Sequence, residues 1–164
     1  MPSRRKTREF VLQVLFAADA SNEDPIRILS FLKEHFGVDE EQVVKLDRVV
    51  DDYARELVAA VAADREAIDS VISVLSHRWK LYRINRVDRN VLRMAIAELV
   101  HFHSVPGPVI LNEAIEIAKR YSGENSASFI NGILDRVQTI EPRPNSIARL
   151  RELLSALDQS VTTD

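Results

Sequence analysis

Four cations crowd the first eight residues of this chain: Arg4, Arg5, Lys6 and Arg8, with no acid among them. Guanidinium groups bind phosphate bidentately and stack on flat rings, so such a cluster suits a polyanion, single-stranded RNA above all. Arg4 and Arg8 stand four apart and share a face wherever the chain is helical. A short flexible basic tail is the plainer reading of these residues taken alone. Phe129 is a second candidate. At helical spacing a Phe is ordinarily core. Near a helix start it can also be a stacking platform for a base, beside backbone N–H groups that attract phosphate.

Catalytic constellations are not visible. His101 and His103 form an H-x-H pair, but residues two apart on a helix point nearly opposite ways and cannot share a metal. His35 and His77 have no partner four residues on. The paired carboxylates Glu40–Glu41 and Asp51–Asp52 read as a solvated acidic helix face, not as a general acid and base. No glycine-rich phosphate loop and no nucleophile elbow occur, so no enzyme, metal or cofactor is expected.

Charge is distributed unevenly along the chain. The net charge is only -3, yet residues 21–75 carry 13 acids against 6 bases, a balance of -7. Residues 76–93 carry six bases (Arg78, Lys80, Arg83, Arg86, Arg89 and Arg93) against Asp88 alone, a balance of +5. Sign asymmetry is a better footprint for a polyanion than the total. The 164 residues suit one domain with a sizeable core. No cysteine is present, so no disulfide framework forms. No apolar run reaches ~20 residues and no secretory signal pattern opens the chain; a cytoplasmic protein without a membrane span is expected.

All of these residues must be positioned by helices. A first helix from about Ser3 to Asp19 has the apolar face Phe10, Val11, Val14, Leu15 and Ala18. Its cations sit at the wrong end for the helix dipole, costing about 0.3–1 kcal/mol each. Such a cost implies a frayed start or an anionic ligand. Asp24 caps a second helix, with Pro25 at its first position, Ile28, Leu29, Leu32 and Phe36 inward, and Gly37 as its stop. A long third helix after Asp39 has the seam Val43, Leu46, Val50, Tyr53, Leu57 and Val61. Asp64 caps a fourth, with Ile68, Val71, Ile72 and Leu75 inward. Asn85 caps a fifth, whose inner face is Val91, Leu92, Ala95, Ile96 and Leu99. The sequence SVPGPV is a rigid elbow. A sixth helix follows, with Leu111, Ala114, Ile115 and Ala118 inward, Lys119 and Arg120 in its last turn, and Gly123 as its stop. Ser126 caps a seventh, with Phe129, Ile130, Ile133, Leu134 and Val137 inward. Asn131-Gly132 inside it implies close approach of another helix. After EPRPN an amphipathic helix carries Ile147, Leu150, Leu154 and Leu157 on one face, and the tail SVTTD is expected to be disordered.

Fold class is therefore all-α: a bundle of about seven helices in two packed helical subdomains, plus a C-terminal extension helix. The expected domain is 1–142, with subdomains 1–63 and 64–142, followed by 143–164 as helix and tail.

Three blocks, RRKTREFVLQVLFAAD, RINRVDRNVLRMAIAEL and VPGPVILNEAIEIAKRYSGENSASFINGILD, occur in the order of the NusB family of bacterial transcription antitermination factors. The chain resembles that family most specifically in NEAIEIAK and FINGILD. The resemblance implies a non-enzymatic RNA-binding factor. Such a factor binds the boxA element of nascent ribosomal RNA together with NusE, a small-subunit ribosomal protein, and joins the RNA polymerase antitermination complex. Carried over by position, Arg4, Arg5, Lys6 and Arg8 would contact RNA, with Asn125 and Phe129. Asp88, Val87 and Val91 would face NusE. Family members differ in self-association, so a homodimer stays open. Ser128 stands where the family often has a basic residue, and Phe16 where Tyr is frequent. The same helical domain occurs fused to ribosomal RNA cytosine methyltransferases, but no cofactor-binding α/β segment is visible here.

Overall fold

The computed structural model describes residues 3–35, 52–76 and 80–161, and these are all-α, with no strand among them. The elements are α1 (Arg4–Ser21), α2 (Pro25–His35), α3 (Asp52–Leu75), a 3-10 turn (Leu81–Arg83), α4 (Arg86–His101), α5 (Gly107–Tyr121), α6 (Glu124–Ile140) and α7 (Ile147–Val161). The residues Gly37, Asp39, Val43, Leu46 and Val50, the carboxylates Glu40, Glu41 and Asp51, and His77 lie outside the described residues. The chain groups into two compact units, Met1–Ala63 and Asp64–Asp164.

In the first unit, α1 packs on α2. The Ser3 hydroxyl caps α1 by accepting from the Lys6 N–H, and Asn22 closes it in the left-handed region at φ 55°. All five apolar positions expected on α1 are buried. Asp24 caps α2 as expected, its Oδ1 accepting from the Ile26 N–H at 2.9 Å. From α3, Ala54, Leu57, Val58 and Val61 are buried.

In the second unit α4 is the central element. Every residue from Asn90 to Val100 is buried, while α5 and α6 pack on it and on each other. Leu92, Ile96, Leu99, Ile110, Ile117, Ile130 and Leu134 fill this core. A polar residue on so buried a helix needs a partner. Arg93 has a bidentate one in Asp69, Nε donating to Oδ1 at 2.7 Å and Nη2 to Oδ2 at 3.0 Å, and Nη1 donates to Asn90 Oδ1 at 3.0 Å. At the end of α4 the chain is tied to the segment before α7. Arg143 Nη2 donates to the Phe102 carbonyl, and His103 Nε2 to the Pro144 carbonyl at 3.1 Å. α7 packs on α6, with Ile147, Leu150 and Leu154 buried and Leu157 exposed.

Several expectations are corrected here. Asp64 caps nothing: α3 runs unbroken through it, and its Oδ2 meets His101 Nε2 at 2.7 Å. Ser126 is not a cap either. Gly123, at φ 128°, holds that position, and α6 begins at Glu124. The inner stripe of α5 is Ile110, Ala114, Ile117 and Ala118, with Leu111 and Ile115 only half-buried. Gly132 is exposed, and a Cβ there would meet nothing within 4 Å among the described residues, so no described helix approaches it. The glycine that does permit close approach is Gly107, where a Cβ would lie 2.8 Å from Gln138 Nε2. Ser160 and Val161 of the expected disordered tail belong to α7.

Candidate nucleic-acid interface

Two sets of residues carry the chemistry, one in each unit. In the first unit, α1 starts on Arg4, Arg5 and Lys6, all exposed, with no acid in its first turn. Nothing in that turn neutralises the dipole, so its N-terminal end is a positive terminus carrying three further positive charges. Arg4 lies over the Tyr53 ring at 4.1 Å from the centroid, and Arg8 at 5.8 Å. Arg8 Nη2 also reaches the Tyr53 hydroxyl at 3.5 Å. One aromatic ring on α3 thus holds two guanidinium groups one helical turn apart, each contact worth about 0.5–1 kcal/mol where exposed.

Arg8 departs from the expectation of a direct contact. It is 3% exposed, so its guanidinium is spent inside the protein and the solvent-facing cations are Arg4, Arg5 and Lys6. Tyr53, read from its spacing as one more seam residue, is the organiser of this cluster. An aromatic in a strongly acidic stretch was the available signal.

In the second unit, the N-terminal ends of α4 and α6 flank an open cleft of about 330 Å³ lined by Arg83, Ile84, Asn85, Asp88, Asn125, Ser126 and Phe129. The local sequence explains its floor. Asn85 caps α4, its Oδ1 accepting from the Asp88 N–H at 2.9 Å while its Nδ2 donates back to Asp88 Oδ2 at 2.9 Å. This is a capping box in which the return contact runs to the side-chain amide. Ser126 Oγ donates to the same Asp88 Oδ2 at 2.8 Å, tying α6 to α4. The other oxygen, Asp88 Oδ1, is buried with no hydrogen-bond partner among the described residues. Gly123 gives α6 no side-chain cap, and Glu124 places a carboxylate in its first turn, where it offsets the positive end of the helix beside Asn125 and Ser126. Phe129 is half-buried, neither core nor fully displayed.

The cleft therefore brings together Asn125, Phe129 and Asp88, which sequence reading assigned to two different partners. It adds Arg83, Asn85 and Ser126, which the sequence offered only as one cation of the basic run and as two helix caps. The group expected to face a protein partner separates. Val91 is fully buried in the core, because it lies one turn in from the helix start on the inward face. Asp88 is 5% exposed, its side chain in the cleft wall. Val87 is half-buried on the first turn of α4. Among the described residues no group of three His, Cys, Asp or Glu side chains could hold a metal, and no helix is long and apolar enough to cross a membrane.

Comparison with known proteins agrees with this architecture. The NusB family model matches residues 5–139. The chain is 41% identical over 142 residues to the transcription antitermination protein NusB of Geotalea uraniireducens, spanning 87% of this chain and 98% of that one. It is 39% identical over 163 residues to the protein of the same name from Heliobacterium modesticaldum, spanning 98% and 75%. Among solved structures, T. maritima NusB superposes with a TM-score of 0.72 at 37% identity, covering 89% of this chain and 96% of that one. A crystal structure of antitermination factors NusB and NusE in complex with double-stranded RNA superposes at 0.63 and 25% identity, covering 81% and 93%. With the matched segment spanning nearly all of the described helices, this chain belongs to the NusB family.

Proposed function

We propose that this chain is a transcription antitermination factor that binds boxA-type single-stranded RNA of nascent ribosomal RNA together with the ribosomal protein NusE, and so supports processive transcription by RNA polymerase. The observation that carries it is the likeness over most of its length to a solved NusB that is seen with NusE and RNA. It works without catalysis, in the cytoplasm, as an adaptor. The exposed cations Arg4, Arg5 and Lys6 take phosphates of the unpaired strand, with Arg8 and Tyr53 holding that end of α1 in place. Phe129 and Asn125 supply a stacking face and a polar edge in the cleft. NusE docks on the outer side of the first turn of α4, around Val87. Neither contact need be tight, because joining them in one molecule converts two modest affinities into a stable assembly.

The test is terminator readthrough in a purified transcription system with a boxA leader, NusE and RNA polymerase. Adding this chain raises readthrough on the boxA template and not on one with a shuffled leader. Equal readthrough on both templates would refute the reading.

A further inference from the structure

Cations at the start of a helix repel one another and the helix dipole, so an ordered start there needs a cause. α1 begins in regular helix at Arg4 all the same, with Ser3 as its cap. Tyr53 supplies part of the cause, because its ring carries Arg4 at 4.1 Å and Arg8 at 5.8 Å from the centroid. We propose that Tyr53 is a positioning residue for RNA: its ring holds the Arg4 guanidinium in one orientation before the strand arrives, so that position 4 requires an arginine and not merely a positive charge. The proposal rests on the RNA-binding reading and sharpens it.

The geometry divides the work among three residues. Arg8 is 3% exposed and its Nη2 donates to the Tyr53 hydroxyl at 3.5 Å, so a buried group of α1 fixes the phenol at its oxygen end. Tyr53 itself is half-buried in the first turn of α3, next to the fully buried Ala54. A ring tied down at its backbone and at its hydroxyl is a rigid platform. Arg4 is exposed and stands over that ring, one turn nearer the helix start than Arg8. Stacking engages a guanidinium through its face, whereas phosphate is bound through the N–H donors in its plane, so the two contacts coexist. A lysine ammonium has no plane and binds phosphate as a point charge on a flexible stem. Ordering such a side chain on binding weakens affinity about two- to ten-fold, and a side chain already held on a ring has lost that freedom beforehand. Packing alone does not ask for an aromatic here. Tyr53 lies one turn before Leu57 and two before Val61, both buried, so an aliphatic side chain would continue the same stripe.

The experiment is a double-substitution cycle between positions 4 and 53. It is read as fluorescence anisotropy of the full chain with a single-stranded boxA RNA oligomer over a range of salt. Arg4→Lys should weaken binding about three-fold and leave the slope of log K against log salt unchanged, because the phosphate contact is kept. Tyr53→Leu should weaken binding by a similar factor, again at constant slope. With Tyr53→Leu already in place, Arg4→Lys should cost nothing further, because no ring is left for the guanidinium to use. Tyr53→Phe keeps the ring and should bind within about two-fold of the unaltered chain. An Arg4→Lys loss of equal size with and without the ring overturns the proposal, since a merely structural role of Tyr53 leaves that loss unchanged. Tighter binding in Tyr53→Leu also overturns it, because the ring would then compete with RNA for Arg4. If Tyr53→Leu fails to fold, the two milder variants decide: no loss in Arg4→Lys, or a loss in Tyr53→Phe as large as that in Arg4→Ala, overturns it. RNA binding that none of these substitutions alters refutes the role of Tyr53 and leaves the RNA reading intact, whereas no binding of the unaltered chain to any oligomer refutes both.

Discussion

Replacing Arg4, Arg5 and Lys6 together by alanine should flatten the salt dependence of RNA binding by a calculable amount. Each single-strand phosphate neutralised contributes about 0.7 to the slope of log K against log salt. Three solvent-facing cations stand at the start of α1, and the fourth, Arg8, is buried against Tyr53. The slope should therefore change by up to ~2.1, whereas four surface contacts would give ~2.8. Across a four-fold range of salt a slope difference of ~2.1 corresponds to a factor of about 18 in affinity, well inside the reach of anisotropy titrations. Adding Arg8→Ala to the triple variant should leave the slope in place and lower thermal stability, because it removes buried contacts instead of a phosphate contact. A slope unchanged in the triple variant would remove the RNA from this end of the helix. A further change of ~0.7 on adding Arg8→Ala would show that Arg8 reaches phosphate and that its burial is relieved on binding.

Arg93→Ala should destabilise the fold by about 1–3 kcal/mol, since it removes the bidentate partner of Asp69, which keeps only Arg65 at 3.9 Å, and a donor to Asn90 on a buried helix; urea unfolding followed by circular dichroism measures it. Gly132→Ala should stabilise by up to about 1 kcal/mol, because the position is mid-helix, exposed and sterically open. Gly107→Ala should change stability by less than about 1 kcal/mol in the same assay, since the new Cβ meets only the movable amide end of Gln138 and disturbs its exposed hydrogen bond to the Pro142 carbonyl at 2.7 Å. Leu150→Ala should cost about 2–5 kcal/mol, as it opens a cavity under a fully buried side chain of α7; a cost below ~1 kcal/mol would mean that α7 is dispensable to the second unit.

What could be read from the chain in advance was whatever local chemistry decides. The apolar stripe of α1, the Asp24–Pro25 start of α2, the Asn85 cap and the cationic last turn of α5 depend on neighbours within one turn, and all stand in the structure. The failures share a cause. Asp64 and Ser126 are good caps by residue type, yet each has a tertiary partner that local spacing cannot reveal: His101 for one, Asp88 for the other. Val91 and Asp88 are three apart on one helix, and whether such a face is core or surface depends on what packs against it. Arg8 shows the same limit. Four like charges look equivalent in sequence, and only tertiary packing separates Arg8, buried with its Nη2 at the Tyr53 hydroxyl, from the three left at the surface. For the cleft, Phe129 and Asn125 were legible by resemblance to a family motif. The orphaned Asp88 oxygen was not, because an atom without a partner has no signature in sequence.

Coupling between the two binding events is the property on which an adaptor stands. The decisive measurement is the affinity for boxA RNA with and without saturating NusE, repeated with a shuffled RNA. A boxA-specific gain of about ten-fold on adding NusE, or about 1.4 kcal/mol of coupling, is the expected result. An affinity for boxA that matches the shuffled control in both conditions would contradict it.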